Sequence, residues 1–174
     1  QVHALREAGL NRLTISLDSL YDQRIQRISG RPIHVADVLR GIASAQEAGF
    51  TDIKINMMVQ RNQNEDELID MVEHFKHTSH EIRFIEFMDV GNTNEWSKED
   101  VVTTAEMLQT LGSYFDITEF ERPKQSDVAV RATITHGDGT TQQIGFISSV
   151  SAPFCGNCTR ARLSAIGELY TCLF

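Results

Sequence analysis

The first two-thirds of the chain alternates between apolar spacing typical of helices and apolar spacing typical of strands. Val2, Leu5 and Ala8 recur at helical spacing before a glycine, and two further segments show the same amphipathic pattern. The predicted helices are 2–8, 37–48 and 64–75. Between them, apolar residues alternate at period two, and the predicted strands are 12–18, 52–59 and 81–90. Strands and helices that repeat at this length favour βαβ units and a parallel sheet.

Asn64 is predicted to be the N-cap of the third helix. Asparagine side chains satisfy the free N–H groups at a helix start, and the acidic Glu65 and Asp66 that follow favour the helix dipole.

After Gly91 the pattern changes. One helix is predicted over 98–111, and three strands over 115–122, 127–136 and 140–150, with the GDG sequence at 137–139 as a tight hairpin turn. The chain is therefore predicted to be an α/β protein: part of an α/β barrel or open sheet over 1–97, and an antiparallel β extension carrying the cysteines over 98–174.

The first two strands pair an apolar face with a polar one. In 52–59 the apolar face holds Ile53 and Ile55, and the opposite face holds Lys54 and Asn56. Strands covered by helices on both faces should be almost continuously apolar, so the polar face indicates a cavity that holds a ligand. An antiparallel sheet with one face in water is the alternative. In the third strand, alternation places Met88 opposite Arg83.

Composition limits the function classes. The 174 residues include 41% hydrophobic ones, enough for roughly one domain. A net charge of −8 disfavours general binding of nucleic acids, so an anionic ligand requires a local basic cluster. There is no membrane-spanning apolar run and no visible signal peptide. Three cysteines, an odd number, argue against a disulfide framework and favour a reducing cytoplasm.

All three cysteines lie in PFCGNCTRARLSAIGELYTC, with Cys155 and Cys158 as C-x2-C and Cys172 further on. This spacing is typical of a metal centre. Zinc requires four ligands, and His136 is the nearest histidine in sequence, although it lies at the predicted hairpin turn. A [4Fe–4S] cluster held by three cysteines leaves one iron open. The ligand count favours the cluster and leaves zinc open.

Arg160 and Arg162 follow the C-x2-C directly. Two residues apart on a strand, they face the same side, where guanidinium groups suit a phosphate or a purine edge. Two solvated surface arginines are the alternative.

Lys54 either extends to solvent from an edge strand or projects into the cavity as a counter-charge.

Four stretches together resemble the radical S-adenosylmethionine GTP 3′,8-cyclase family of molybdenum cofactor biosynthesis. The matching stretches, in the expected order, are GLNRLTISLDSL (9–20), DIKINMMVQRNQN (52–64), IRFIEFMDVGN (82–92) and GFISSVSAPFCGNCTRARLSAIGELYTCLF (145–174). The resemblance implies an incomplete TIM-type barrel whose open side is covered by the C-terminal extension. It also implies S-adenosylmethionine as the source of a 5′-deoxyadenosyl radical that abstracts the 3′ hydrogen of GTP, in a lyase-class reaction that gives 3′,8-cyclo-GTP.

The resemblance also implies roles for individual residues. Cys155, Cys158 and Cys172 would hold a C-terminal 4Fe–4S cluster. Lys54, Arg160 and Arg162 would bind GTP, with Arg83 as an additional member of that site. Ser16 and Met88 would contact S-adenosylmethionine.

One departure from the family pattern is large. The family's second cluster sits on a C-x3-C-x2-C motif, and this motif is absent from the 174 residues. The chain is therefore expected to be a piece of the enzyme that does not generate the radical alone. Exposed sheet edges would favour a homodimer, and cyclic pyranopterin monophosphate synthase would be its pathway neighbour. A non-catalytic zinc or iron–sulfur binding module is the alternative.

Overall fold

The computed structural model describes residues 1–88, 96–122, 124, 127–157 and 159–172. The α-helices within these ranges are α1 (Val2–Glu7), α2 (Asp22–Ser29), α3 (Val35–Glu47), α4 (Leu68–His74) and α5 (Thr104–Gly112). The strands are β1 (Thr14–Ser16), β2 (Lys54–Val59), β3 (Glu81–Glu86), β4 (Asp116–Glu121), β5 (Val130–Thr135), β6 (Thr141–Ile147), β7 (Arg162–Leu163) and β8 (Leu169–Tyr170). Short 3-10 helices cover Glu65–Glu67, Lys98–Asp100 and Cys155–Asn157.

Six strands form one mixed sheet in the order β1-β2-β3-β6-β5-β4. The pairs β1·β2, β2·β3 and β3·β6 are parallel, and β5 is antiparallel to both β6 and β4. The predicted α/β class with parallel strands is confirmed. β7 and β8 form a separate two-stranded ribbon.

The predicted antiparallel strands continue the first sheet. β6 pairs in parallel with β3, with Phe84 opposite Phe146, so strands from both sides of residue 97 share one sheet. The predicted hairpin between β5 and β6 is present, and Gly139 adopts the positive φ of 83° that the turn requires. The division of the chain at 97/98 stays a prediction.

The apolar face of the sheet packs against the helices. Ile53, Ile55, Met57 and Val59 are all fully buried, as the alternation predicts. They share one core with residues of α2, α3, α4 and α5, among them Ile25, Ile42, Met71, Met107 and Leu111. Burying each such side chain contributes about 1.5–3 kcal/mol, so these residues fix which side of β2 faces the helices.

The structure differs from the predicted elements at three places. α2 was not predicted, because in its sequence DQRIQRIS only Ile25 is buried. The helix predicted over 64–75 begins as the 3-10 turn Glu65–Glu67, and the Asn64 side chain makes no capping bond. The helix predicted over 98–111 is interrupted between Asp100 and Thr104, and α5 starts at a capping box formed by Thr103 and Glu106.

Candidate functional site

A cavity of about 580 Å³ lies between the polar face of the sheet and the C-terminal segment. Its volume is within the range of small-molecule sites. The part of its wall that precedes the C-terminal segment consists of Thr14, Asn56, Arg83, Ile85, Met88, Val128, Ile147 and Ser149. The C-terminal segment adds Pro153, Phe154, Cys155, Arg160, Arg162, Thr171 and Cys172.

Most of the predicted site residues meet at this cavity. The ones that line it are Arg83, Met88, Cys155, Arg160, Arg162 and Cys172. Lys54 and Ser16 lie on the polar face of the sheet but are not part of the wall, and Cys158 lies outside the described residues.

The two described cysteines are free, exposed thiols. Cys155 begins the 3-10 helix that follows the loop after β6, and Cys172 follows β8. Within the described ranges, which omit Cys158, no group of three or more His, Cys, Asp or Glu side chains could hold a metal ion. Two thiols on one cavity wall are a suitable donor pair for a soft metal or an iron–sulfur cluster, and the third thiol predicted for the set is Cys158.

His136 is not a member of this group. It is 3% exposed, and its Nδ1 and Nε2 lie 3.1 Å from Glu73 Oε1 and 3.1 Å from Gln142 Oε1 respectively. Both ring nitrogens therefore have protein partners, and the residue is not part of the cavity wall. This removes the candidate fourth ligand for zinc.

Arg160 and Arg162 reach the cavity from different local structures. Arg162 lies on β7, opposite Tyr170 of β8, whereas Arg160 precedes the strand. The Arg160 guanidinium lies 5.1 Å from the centroid of the Phe154 ring, a cation–π distance. The strand is shorter than predicted, yet both side chains line the same wall.

The charge of the described wall contrasts with that of the whole chain. Its charged side chains are Arg83, Arg160 and Arg162, and no Asp or Glu lines it, although the chain carries a net charge of −8. Arg83 Nε donates to Glu81 Oε1 at 2.5 Å, which offsets part of its charge. A local concentration of guanidinium groups favours an anionic ligand.

Lys54 lies on an interior strand, with β1 on one side and β3 on the other. The edge-strand interpretation of this lysine is therefore wrong. Partial burial lowers the pKa of Lys54, the nearby Arg83 guanidinium lowers it further, and Glu81 opposes the shift. Ser16, on the same face, pairs in register with Asn56 and is exposed.

Met88 lies on the cavity side together with Arg83. Strict alternation placed the two on opposite faces, but β3 ends at Glu86, so the alternation does not extend to Met88.

Asn56 is a wall residue that the sequence did not single out. Its Oδ1 is buried and has no hydrogen-bond partner among the described residues, although the atom is a strong acceptor. Because buried polar atoms are normally satisfied, this oxygen indicates a place for a ligand donor. The sequence does contain one signal for it: Asn56 is two residues after Lys54 and therefore lies on the same polar face of the strand.

None of the helices in the described ranges is both long enough and apolar enough to cross a bilayer.

Comparison with known families divides the chain in two. Residues 80–174 match the family model described as Molybdenum Cofactor Synthesis C, and residues 1–75 match the model of the Radical SAM superfamily.

Individual relatives align along almost the entire chain. A protein named GTP 3′,8-cyclase from Xanthomonas axonopodis pv. citri is 48% identical over 174 residues, which are 100% of this chain and 51% of the relative. Proteins of the same name from Staphylococcus haemolyticus and Acidothermus cellulolyticus are 45% and 41% identical over 170 residues, 98% of this chain and 49% and 46% of theirs. The chain thus spans about half the length of these curated relatives. Because the first of the two family models covers more than half of its residues, the chain belongs to the Molybdenum Cofactor Synthesis C family.

Proposed function

We propose that this chain is part of a GTP 3′,8-cyclase and that its cavity forms the part of the active site that binds GTP beside an iron–sulfur cluster. One observation carries the proposal: two free thiols and three arginines line a single cavity with no acidic side chain in its described wall. The relatives named GTP 3′,8-cyclase and the two family matches support the same assignment.

The arginines would bind the nucleotide. Guanidinium groups form paired, charge-assisted hydrogen bonds with phosphate oxygens and with the acceptor edge of guanine. Arg160 and Arg162 supply two such groups from the C-terminal side, and Arg83 supplies one from the sheet. Asn56 Oδ1 would accept a hydrogen bond from the base or ribose, and Lys54 would add charge from the same face.

The thiols would hold the metal group. Cys155 and Cys172, together with Cys158, would be the three protein ligands of a 4Fe–4S cluster. When bound, such a cluster supplies an open iron that a group on the substrate can coordinate. The Phe154 ring packs against Arg160 beside these thiols and would keep that guanidinium oriented towards the ligand.

S-adenosylmethionine would bind on the sheet side, with Met88 and Ser16 as contacts. The 1–75 match to the Radical SAM superfamily supports this half of the proposal. The radical reaction, of the lyase class, would require the C-x3-C-x2-C motif that these 174 residues lack, so we expect no cyclisation by this chain alone. The same proposal includes an incomplete TIM-type barrel, a homodimer and a cytoplasmic location. It also includes cyclic pyranopterin monophosphate synthase as a pathway neighbour.

A titration with GTP tests the nucleotide site. Arg160→Ala and Arg162→Ala should each weaken GTP binding roughly tenfold or more, because each removes a charge-assisted contact worth about 1.5–3 kcal/mol. Arg31→Ala is the matched control, since Arg31 is exposed and does not line the cavity. Equal affinity in all three variants would remove the two arginines from the site.

Metal analysis distinguishes the iron–sulfur proposal from a zinc-binding module. After anaerobic reconstitution with iron and sulfide, we expect several irons and sulfides per chain and visible absorption from thiolate-bound iron. A colourless chain that binds one zinc in preference would contradict the cluster.

A further inference from the structure

Glu86, the last residue of β3, is a fully buried carboxylate outside the cavity wall. A buried carboxylate is costly unless hydrogen bonds replace the water that it loses. Its partners therefore show what the residue holds in place.

Both carboxylate oxygens of Glu86 accept hydrogen bonds. Oε2 accepts from the backbone N–H groups of Val150 at 2.8 Å and Ser151 at 2.7 Å. Oε1 accepts from the Ser151 hydroxyl and, at 2.8 and 3.0 Å, from the N–H and hydroxyl of Thr104. The backbone oxygen of Glu86 also accepts from Ser149 Oγ at 2.8 Å.

These bonds tie the loop after β6 to the end of β3 and the start of α5. Burial alone would raise the pKa of Glu86, but the hydrogen bonds from Ser151, Thr104 and Val150 outweigh it and lower the pKa below its usual value. The side chain is therefore an anion that accepts from several N–H groups at once.

The tied loop leads directly to a thiol. Cys155 follows Ser151 by four residues, and Pro153 and Phe154 between them line the cavity. Four residues span at most about 14 Å, and proline fixes its own φ, so the anchor at Ser151 limits where Cys155 can lie.

We propose that Glu86 is a positioning residue for the thiol site: it anchors Val150 and Ser151 and thereby holds Cys155 on the cavity wall. The part of this inference that concerns an iron–sulfur cluster rests on the proposed function. Replacement by glutamine keeps the size of the side chain but exchanges one acceptor oxygen for an NH₂ donor. Either Thr104 or the pair Val150 and Ser151 then faces a donor instead of an acceptor.

Glu67 provides a matched control. It is 1% exposed, and its oxygens accept from Ser19 Oγ at 2.8 and 2.9 Å, from Leu20 N at 2.8 Å and from Arg24 at 2.9 Å. Glu67→Gln thus damages a comparable buried network that ties residues 19–24 to the start of α4, and the hydrogen bonds of Glu67 within the described residues do not reach residues 148–155.

The experiment compares the full chain with Glu86→Gln and Glu67→Gln in two measurements. In the metal-free chain, dibromobimane, which joins only closely spaced thiols, reports the yield of the Cys155–Cys172 cross-link after peptide mapping. In the reconstituted chain, iron and sulfide are counted. For Glu86→Gln we expect a cross-link yield roughly tenfold below that of Glu67→Gln, with fewer irons bound, because losing hydrogen bonds to a charged group favours local opening of the loop that carries Cys155.

The outcomes separate the two proposals. Equal cross-linking in the two variants would overturn the positioning role even if the wild-type chain binds a cluster. If Glu86→Gln alone lowers the cross-link yield and the wild-type chain takes up no iron, the result would support the positioning role and contradict the cluster. A wild-type chain that neither cross-links nor binds iron would overturn both. Should Glu86→Gln not fold, Ser151→Ala removes one donor to the same carboxylate and should lower the cross-link yield in the same direction; no change would overturn the proposal.

Discussion

Asn64 bonds three backbone groups at the carboxyl ends of β1 and β2. Its Oδ1 accepts from Gln60 N at 2.8 Å, and its Nδ2 donates to the carbonyl oxygens of Asp18 at 2.7 Å and Met58 at 2.8 Å. Asn64 is fully buried, whereas Asp18, Met58 and Gln60 are half-buried. The side chain predicted to cap a helix instead fixes the strand ends.

Asn64→Ala should therefore lower the free energy of unfolding by about 2–3 kcal/mol, since it removes three hydrogen bonds made by one buried side chain. Urea unfolding measures the change. Asn11→Ala, at an exposed position, is the control and should stay within about 0.5 kcal/mol of wild type. A loss at Asn64 as small as that of the control would show that water or a neighbour replaces the amide.

At the residue scale, the sequence predicts well which face of a strand a side chain lies on. It does not predict which groups donate to a buried acceptor. Alternation along 52–59 was sufficient to place Ile53 and Ile55 in the core and Asn56 on the opposite face. Glu86 was not recognisable, because its partners lie 18 and 65 residues away along the chain. A local pattern contains no information about contacts of that range.

Among the elements, α5 depends on its first turn. Glu106 accepts from the N–H and the hydroxyl of Thr103 at 2.8 and 2.7 Å, and from Arg61 at 2.7 Å. These hydrogen bonds lower the pKa of Glu106 to about 2. The bond from the Thr103 backbone has the largest effect, and the bond from Arg61 has the next largest.

This shift predicts a pH dependence. A carboxyl group whose folded pKa is depressed stabilises the fold above its unfolded pKa of 4.5, and the contribution is lost as the pH falls towards 2. The difference in unfolding free energy between wild type and Glu106→Gln should be constant from pH 7 to pH 5 and shrink between pH 4.5 and 2. A difference that stays constant to the lowest pH would contradict the assignment.

Gly145 of β6 provides space for charged side chains on the polar face. An added Cβ would lie 3.2 Å from Glu81 Oε1, 3.3 Å from Arg83 Cγ and 3.4 Å from Ala129 Cβ. Glu81 also binds Arg131 at 3.1 Å, so the glycine lies beneath a small ion-pair cluster.

Gly145→Val should destabilise the chain by about 1–3 kcal/mol through overpacking, although valine is favoured in strands. Gly145→Ala should cost less, because only one atom is added. Thermal unfolding of both variants measures the order. A valine variant as stable as wild type would show that the ion-pair cluster moves aside freely.

At the level of the whole molecule, the sheet crosses the predicted domain boundary. β3 pairs with β6 through Ile82, Arg83, Phe84 and Ile85, and β2 and β5 lie on either side of this pair. The helical pattern and the parallel strands of the first half were predictable from periodicity. The insertion of β6 beside β3 was not, since pairing partners 62 residues apart leave no mark on local spacing.

A continuous sheet predicts a single cooperative unit. Hydrogen exchange under native conditions should give opening free energies for β2 and β5 amides that agree within about 1 kcal/mol. An opening free energy for β5 well below that for β2 would instead show that the segment after residue 97 unfolds as a separate domain.

The cavity wall also sets an order of events during synthesis. It joins Thr14, near one end of the chain, to Cys172, near the other. A ribosome adds about 5–20 residues per second, so roughly 8 to 30 seconds separate the emergence of these two residues. The residues of all six strands of the sheet precede Cys155 and Cys172 along the chain. The two thiols therefore reach the wall only after every strand of the sheet that they face has been synthesised.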